Sequence, residues 1–138
     1  MYESLTKYLD VFKEDGYGRW IIDEKEVHFP YVNYTEAVRN FLDDVMAFVD
    51  AHEEMDLKRY SLILEDLGIE KSTEAMVEAD AESLDGQAVM ALIVASMRGE
   101  RFCDGFLLHL LNEGCVVKWL KRLEEIDGNA QASNRRTI

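Results

Sequence analysis

Asp85-Gly86-Gln87-Ala88-Val89-Met90-Ala91-Leu92-Ile93-Val94-Ala95-Ser96-Met97 is the stretch on which the fold turns. Asp85 is a good helix cap, and the residues from Ala88 to Met97 are apolar on nearly every side. A helix with one polar face lies on a surface, whereas a helix with none must be covered all round. The segment 88–97 is therefore read as a central buried helix. Ala88, Ala91 and Ala95 share one of its faces, where small side chains let a neighbour approach closely. It is expected to run through Gly99 toward Asp104, since one interior glycine costs only about 1 kcal/mol relative to alanine.

Helices to cover it are legible on both sides. Leu5, Tyr8, Leu9 and Phe12 recur at helical spacing after Ser4, a candidate cap. Asn33 and Glu36 have capping-box spacing ahead of a long stripe of Tyr34, Val38, Phe41, Leu42, Val45, Phe48 and Val49 that ends near Ala51. Leu57, Tyr60, Ile63, Leu64 and Leu67 repeat the pattern after Asp56, with Gly68 and Ile69 as the stop. A short helix over Ser72 to Asp80 carries Ala75, Met76 and Ala79. Phe106 to Asn112 is apolar and stopped by Gly114. The last helix runs from Cys115 to Ile126, with Lys118, Lys121, Arg122 and Glu125 outward. Residues 128–138 are polar and aperiodic and read as a tail, leaving one domain over 1–127.

Between Gly18 and Val32 the period changes to two. Trp20 and Ile22 alternate with Ile21 and Asp23, then Val27, Phe29 and Tyr31 alternate with His28 and Pro30. The reading is a β-hairpin near 18–32 with a loop at Asp23-Glu24-Lys25-Glu26, which sets Ile22 opposite Val27 and Trp20 opposite Phe29. The fold class is thus mainly α, about six helices around the 88–97 helix with one small hairpin, which must be packed on helices because two strands alone are marginal in water.

Charge narrows function. The 138 residues carry a net −13, and residues 35–85, with 4 basic and 15 acidic side chains, hold −11 of it. Such a surface repels phosphate backbones and anionic lipid, which argues against nucleic-acid and membrane partners. It suits solubility, and beyond that a basic protein partner. The N-terminal residues have no continuous apolar stretch that reads as an export signal. Cys103 and Cys115 are too few for a disulfide scaffold and read as reduced thiols of a cytoplasmic protein.

The candidate ligand site is Arg98-Gly99-Glu100-Arg101-Phe102-Cys103-Asp104-Gly105, four charges set between the two most apolar helices. Charges in such surroundings are paired or functional. Arg98 and Arg101 share one helical face, and Glu100 and Asp104 are four apart on the next, so ion pairs and contacts to helix ends are both feasible. The preferred reading is a structural latch in which Arg101 and Asp104 pair. The functional reading is a two-arginine clamp on a carboxylate or phosphate. Tyr17, Trp20, Phe29, Tyr31 and Tyr34 form a candidate aromatic surface, with packing of the hairpin as the simpler explanation.

Other chemistry is weaker. Glu53 with Asp56 and Glu82 with Asp85 have the i, i+3 spacing of helical Mg²⁺ sites, but both pairs sit at helix starts, where acids complement the macrodipole. His52 and Asp56, four apart, read as solvated. No two Cys or His have zinc-ligand spacing. Cys115, following Gly114 at a helix start, is a candidate for a lowered thiol pKa, with simple packing as the commoner outcome. Leu107-Leu108-His109-Leu110-Leu111 has the form of a docking motif but reads as buried. No metal, cofactor or catalytic residue is assigned.

Glu100-Arg101-Phe102-Cys103-Asp104-Gly105, together with Gly18-Arg19-Trp20, Pro30-Tyr31-Val32-Asn33-Tyr34 and Val117-Lys118-Trp119-Leu120-Lys121-Arg122-Leu123, resembles a family of small bacterial proteins of unknown function. The likeness covers most of the chain and is most specific at Glu100 to Gly105. It implies a bacterial, cytoplasmic setting and brings no reaction or ligand. The functional expectation is a non-catalytic binding or regulatory module for a basic protein or a second copy of itself. The alternative is a small enzyme or sensor that binds an anionic small molecule at Arg98, Arg101 and Asp104.

Overall fold

The computed structural model describes residues 1–12, 16–22 and 30–136, the segment 131–136 as backbone. Its elements are α1 (Glu3–Thr6), α2 (Tyr8–Val11), β1 (Gly18–Ile21), β2 (Tyr31–Tyr34), α3 (Glu36–Ala51), α4 (Tyr60–Asp66), α5 (Thr73–Glu78), α6 (Gly86–Glu100), α7 (Phe106–Asn112) and α8 (Cys115–Arg136). Short 3₁₀ turns lie at Glu53–Met55, Leu57–Arg59 and Ala81–Ser83. The architecture is mainly helical with one two-stranded antiparallel hairpin, as the patterning predicts.

α6 is the centre. The Asp85 carboxylate accepts the Ala88 amide at 2.9 Å, and every residue from Ala88 to Ser96 is buried. Ser96, the polar residue in that run, donates its hydroxyl to the Ile93 carbonyl at 2.6 Å, so that hydroxyl is not left unpaired in the core. α4, α7 and α8 pack against α6, and the apolar stripe of α3 belongs to the same core. Gly99 lies where a Cβ would run into the Phe106 ring, which is why the helix accepts a glycine there and α7 can fold back closely. The helix stops at Glu100 instead of continuing to Asp104.

The flanking helices bury the stripes read from sequence. Val38, Phe41, Val45, Phe48 and Val49 of α3 are core, as are Leu5, Tyr8, Leu9 and Phe12. Phe12 and Tyr8 each set an edge against Phe41, at 5.3 Å between centroids. α4 ends as predicted: the Gly68 amide donates to the Glu65 carbonyl and the Ile69 amide to Leu64, with Ile69 packed on the core.

Several expectations need correction. Ser4 lies inside α1 and caps nothing; the first helix is broken at Lys7 into two short pieces. α3 is capped by Thr35, whose hydroxyl accepts the Val38 amide at 3.3 Å, and Asn33 and Tyr34 are strand residues. The hairpin register is Gly18↔Tyr34, Arg19↔Asn33, Trp20↔Val32 and Ile21↔Tyr31, so Trp20 faces Val32 and not Phe29. Among the described residues the ladder takes in Tyr31–Tyr34, just after Pro30, which has no amide to donate. The expected loop at 23–26 and partners Val27, His28 and Phe29 lie outside the described residues. Leu67, expected inward, is 47% exposed. Arg122 is half-buried and donates its Nε to the Leu84 carbonyl at 3.0 Å. α8 continues through Arg136, past the expected end at Ile126, because Gly128 costs only about 1 kcal/mol and Ala130-Gln131-Ala132 are good helix formers.

Two predictions follow from this packing. Leu92→Ala leaves a cavity at a fully buried position and should destabilise the chain by about 2–5 kcal/mol in a denaturant titration. Tyr8 donates to Asp44 Oδ2 at 2.5 Å; burial first, then that hydrogen bond, pushes the phenol up to about 12. The unfolded chain loses the same proton near pH ~10. The stability this phenol contributes is therefore full below about pH 10 and is lost as pH rises toward 12. Tyr8→Phe should show a shallower fall in Tm over that alkaline window than the parent chain.

Candidate functional site

Glu100, the last residue of α6, is the most connected of the candidate residues. One of its carboxylate oxygens accepts the Tyr34 hydroxyl at 2.7 Å and the Leu107 amide at 3.0 Å, and both oxygens lie within 3.1 Å of the Gly105 amide. The Tyr34 hydroxyl in turn accepts the Leu108 amide at 3.0 Å. The first turn of a helix has amides with no partner inside the helix and a positive end of the dipole. At α7 those amides are met by a carboxylate from the preceding helix and a phenol from the hairpin. Burial, then the hydrogen bond to Glu100, raises the Tyr34 phenol far above its ordinary value.

Gly105 makes this geometry possible. Its φ is +90°, and a Cβ there would enter the Trp20 ring. Trp20 and Tyr34 thus lie on the hairpin face turned toward the α6–α7 junction, one covering Gly105 and the other bound to Glu100. Tyr31 projects from the opposite face of the hairpin and is exposed. Tyr17 packs edge-on against Phe12 and donates to the Phe12 carbonyl at 3.0 Å. The hairpin aromatics therefore divide between packing and solvent, with Phe29 outside the described residues.

The latch exists, with partners other than those expected. Arg101 and Asp104 are both exposed, and among the described residues neither has an oppositely charged group within 4 Å. The helix ends at Glu100, so both side chains leave the core with the turn at 101–105. Arg98, in the last turn of α6, is half-buried. It and Arg101 line a cleft of about 350 Å³ with Lys58, Tyr60 and Phe102 over a floor of Met46, Val49, Leu57 and Val94. Asp104 is not in its lining. Sequence reasoning missed Lys58 and Tyr60, which reach this cleft from a turn and helix about forty residues away in the chain; an aromatic residue, Phe102, inside a charged stretch is the signal that could have pointed to it.

A second depression, of about 540 Å³, lies between α4 and the segment Ser83–Ala88. Asp56, Asp66 and Asp85 stand around it, and Leu62 and Leu67, 46% and 47% exposed, form part of its wall. Arg59, also in the lining, is held by Asp56 at 3.6 Å. Asp56 itself is left-handed, with φ 55°, where it joins two 3₁₀ turns.

Metal and thiol chemistry find little support in the geometry. Among the described residues no three His, Cys, Asp or Glu side chains come together to hold a metal ion. His52 stacks on Phe48 at 3.9 Å and its Nδ1 lies 3.0 Å from the Phe48 carbonyl. Cys115 is buried, the simple packing taken as the commoner outcome, and burial pushes its thiol up, against the lowered-pKa alternative; Cys103 is exposed and both thiols are free. Leu107, Leu108, Leu110 and Leu111 are all buried. No helix among the described residues is long and apolar enough to cross a membrane.

Glu100→Ala strands the Gly105 and Leu107 amides and frees the Tyr34 hydroxyl, so it should lower stability by about 1.5–3 kcal/mol, the range for hydrogen bonds to a charged group. Tyr34→Phe should cost less, and the double variant less than the sum, since the two groups share one network. Arg101→Met and Asp104→Leu should each stay within about 0.5 kcal/mol of the parent, as exposed substitutions do. Urea titration of the parent and the five variants checks all of this.

Searches of curated proteins and of solved structures return no match. Residues 3–129, from α1 into α8, match one family whose description is a family of unknown function, DUF6508. The match spans the central helix, the hairpin and the Glu100 junction alike, and by it the chain belongs to the DUF6508 family.

Proposed function

We propose that the protein is a non-catalytic binding module whose acidic groove takes a basic amphipathic segment of a protein partner. The observation that carries this reading is the pairing of exposed leucines with carboxylates in one depression: Leu62 and Leu67 beside Asp56, Asp66 and Asp85. Apolar side chains of a partner would cover the leucines, and lysines or arginines would meet the carboxylates, as when an amphipathic helix lies in a groove. Arg59, the one cation lining the groove among the described residues, is already engaged by Asp56. Around the groove, the acids of residues 35–85 are almost all exposed and supply a wider field of the same sign. That field disfavours both nucleic acid and a second copy of a chain with net charge −13 as the occupant. The setting we propose is cytoplasmic.

A synthetic leucine–lysine amphipathic helical peptide tests the reading by fluorescence anisotropy. It should bind the full chain at low salt and weaken as salt rises toward and beyond physiological strength, where exposed charges are screened over about 8 Å. Asp66→Lys and Leu67→Ser should each weaken binding, while Glu124→Lys, an equal charge change on α8 outside the groove, should leave most of it intact. Equal loss from Asp66→Lys and Glu124→Lys would reduce the effect to net charge and reject the groove.

A further inference from the structure

We propose a second, separate site: the cleft between α3, α4 and the C-terminal end of α6 binds a small anion that carries an apolar group, an aryl or short acyl carboxylate or phosphate ester. The argument begins with where this acidic chain spends its few cations. Lys118 donates to the Val77 and Ala79 carbonyls at 3.3 and 3.2 Å, and Arg122 to the Leu84 carbonyl and to Glu125. Those cations fasten α8 to the end of α5 and to the segment that follows it. Arg98 and Arg101 fasten nothing: among the described residues neither has a carboxylate within 4 Å or a hydrogen-bonded partner. Lys58, the third cation of the cleft, reaches only Asp50 among the described residues, at 4.0 Å, with both side chains well exposed.

The helix dipole accounts for one cation in the last turn of α6. It does not account for a second beyond the helix end, a third from the Leu57–Arg59 turn, or the two rings set among them. Tyr60 is half-buried, and Phe102 is 87% exposed, a large apolar side chain held at the rim with nothing over it. Met46, Val49, Leu57 and Val94 make the floor apolar. A guanidinium offers a planar fork to carboxylate or phosphate oxygens. Two such groups above an apolar floor select a molecule with both an anionic head and an apolar body, and about 350 Å³ falls at the small end of the range for ligand sites. Bare phosphate would leave the floor and Phe102 uncovered, and a neutral aromatic would leave the arginines unmatched.

Isothermal titration of the full chain with phenyl phosphate, benzoate, inorganic phosphate and phenol separates these terms. Phenyl phosphate or benzoate should bind about tenfold more tightly than both inorganic phosphate and phenol, and Arg101→Met should remove about that factor, the worth of one charge-assisted hydrogen bond. Arg98→Met and Phe102→Ser should weaken binding as well. The Tm of Arg101→Met should match that of the parent, which a structural role would not allow. Binding of neither aryl anion, affinity no better than that of inorganic phosphate, or affinity unchanged in Arg101→Met would each overturn the proposal. Because the basic peptide reads the other groove, these outcomes leave the protein-partner reading standing or falling on its own test.

Discussion

A helix without a polar face cannot meet water on any side, and α6 imposes that demand on the whole chain. Ala88 to Ser96 are buried together, and each neighbouring element offers its apolar stripe to them. α4 covers one side, α7 turns back on the close approach allowed by Gly99, and α8 runs alongside with Val116, Trp119, Leu120 and Leu123 buried. The hydrophobic term here is the large one, since each fully buried aliphatic side chain contributes on the order of 1.5–3 kcal/mol. The surface ion pairs, such as Arg59 with Asp56 or Lys58 with Asp50, contribute under about 1 kcal/mol each. Cover for α6 decides the fold, and charge is left free for other uses.

The apolar scaffold was legible because its signals are local and periodic. The Asp85 cap, the unbroken run behind it, the α3 stripe and the Gly68–Ile69 stop can each be read within a few turns of chain. The hairpin register was not legible, since Asn33 and Thr35 are both good caps and only the ladder after Pro30 decides between them. Glu100 was legible as a residue that had to be explained, but its explanation lies at Tyr34, 66 positions earlier. Ion pairing was the wrong expectation for Arg101 and Asp104 because α6 ends at Glu100 and both side chains leave the core with the turn that follows; the charge that stays at the junction, Glu100, is taken by backbone amides at the start of α7. A carboxylate five residues ahead of Gly105 and an apolar helix is the local pattern that would have suggested such a cap.

The surface that remains is divided by sign. The 3₁₀ turn Leu57–Arg59 sits at the division: Lys58 lines the cationic cleft, while Asp56 and Arg59 line the acidic groove. Both depressions also use α6, the groove at Ala88 and the cleft at Val94 and Arg98. Features of opposite charge are thus carried on the same rigid core.

The Tyr34–Glu100 bond also sets an order of events during synthesis. Tyr34 leaves the ribosome well before Glu100 and Leu108 exist, and at about 5–20 residues per second the interval between them is several seconds. Throughout that time β1 and β2 have no junction to pack on, and a two-stranded hairpin alone is marginal in water. Until α6 and α7 are made, Trp20 and Tyr34 are nascent-chain aromatics without a dock, open to a chaperone.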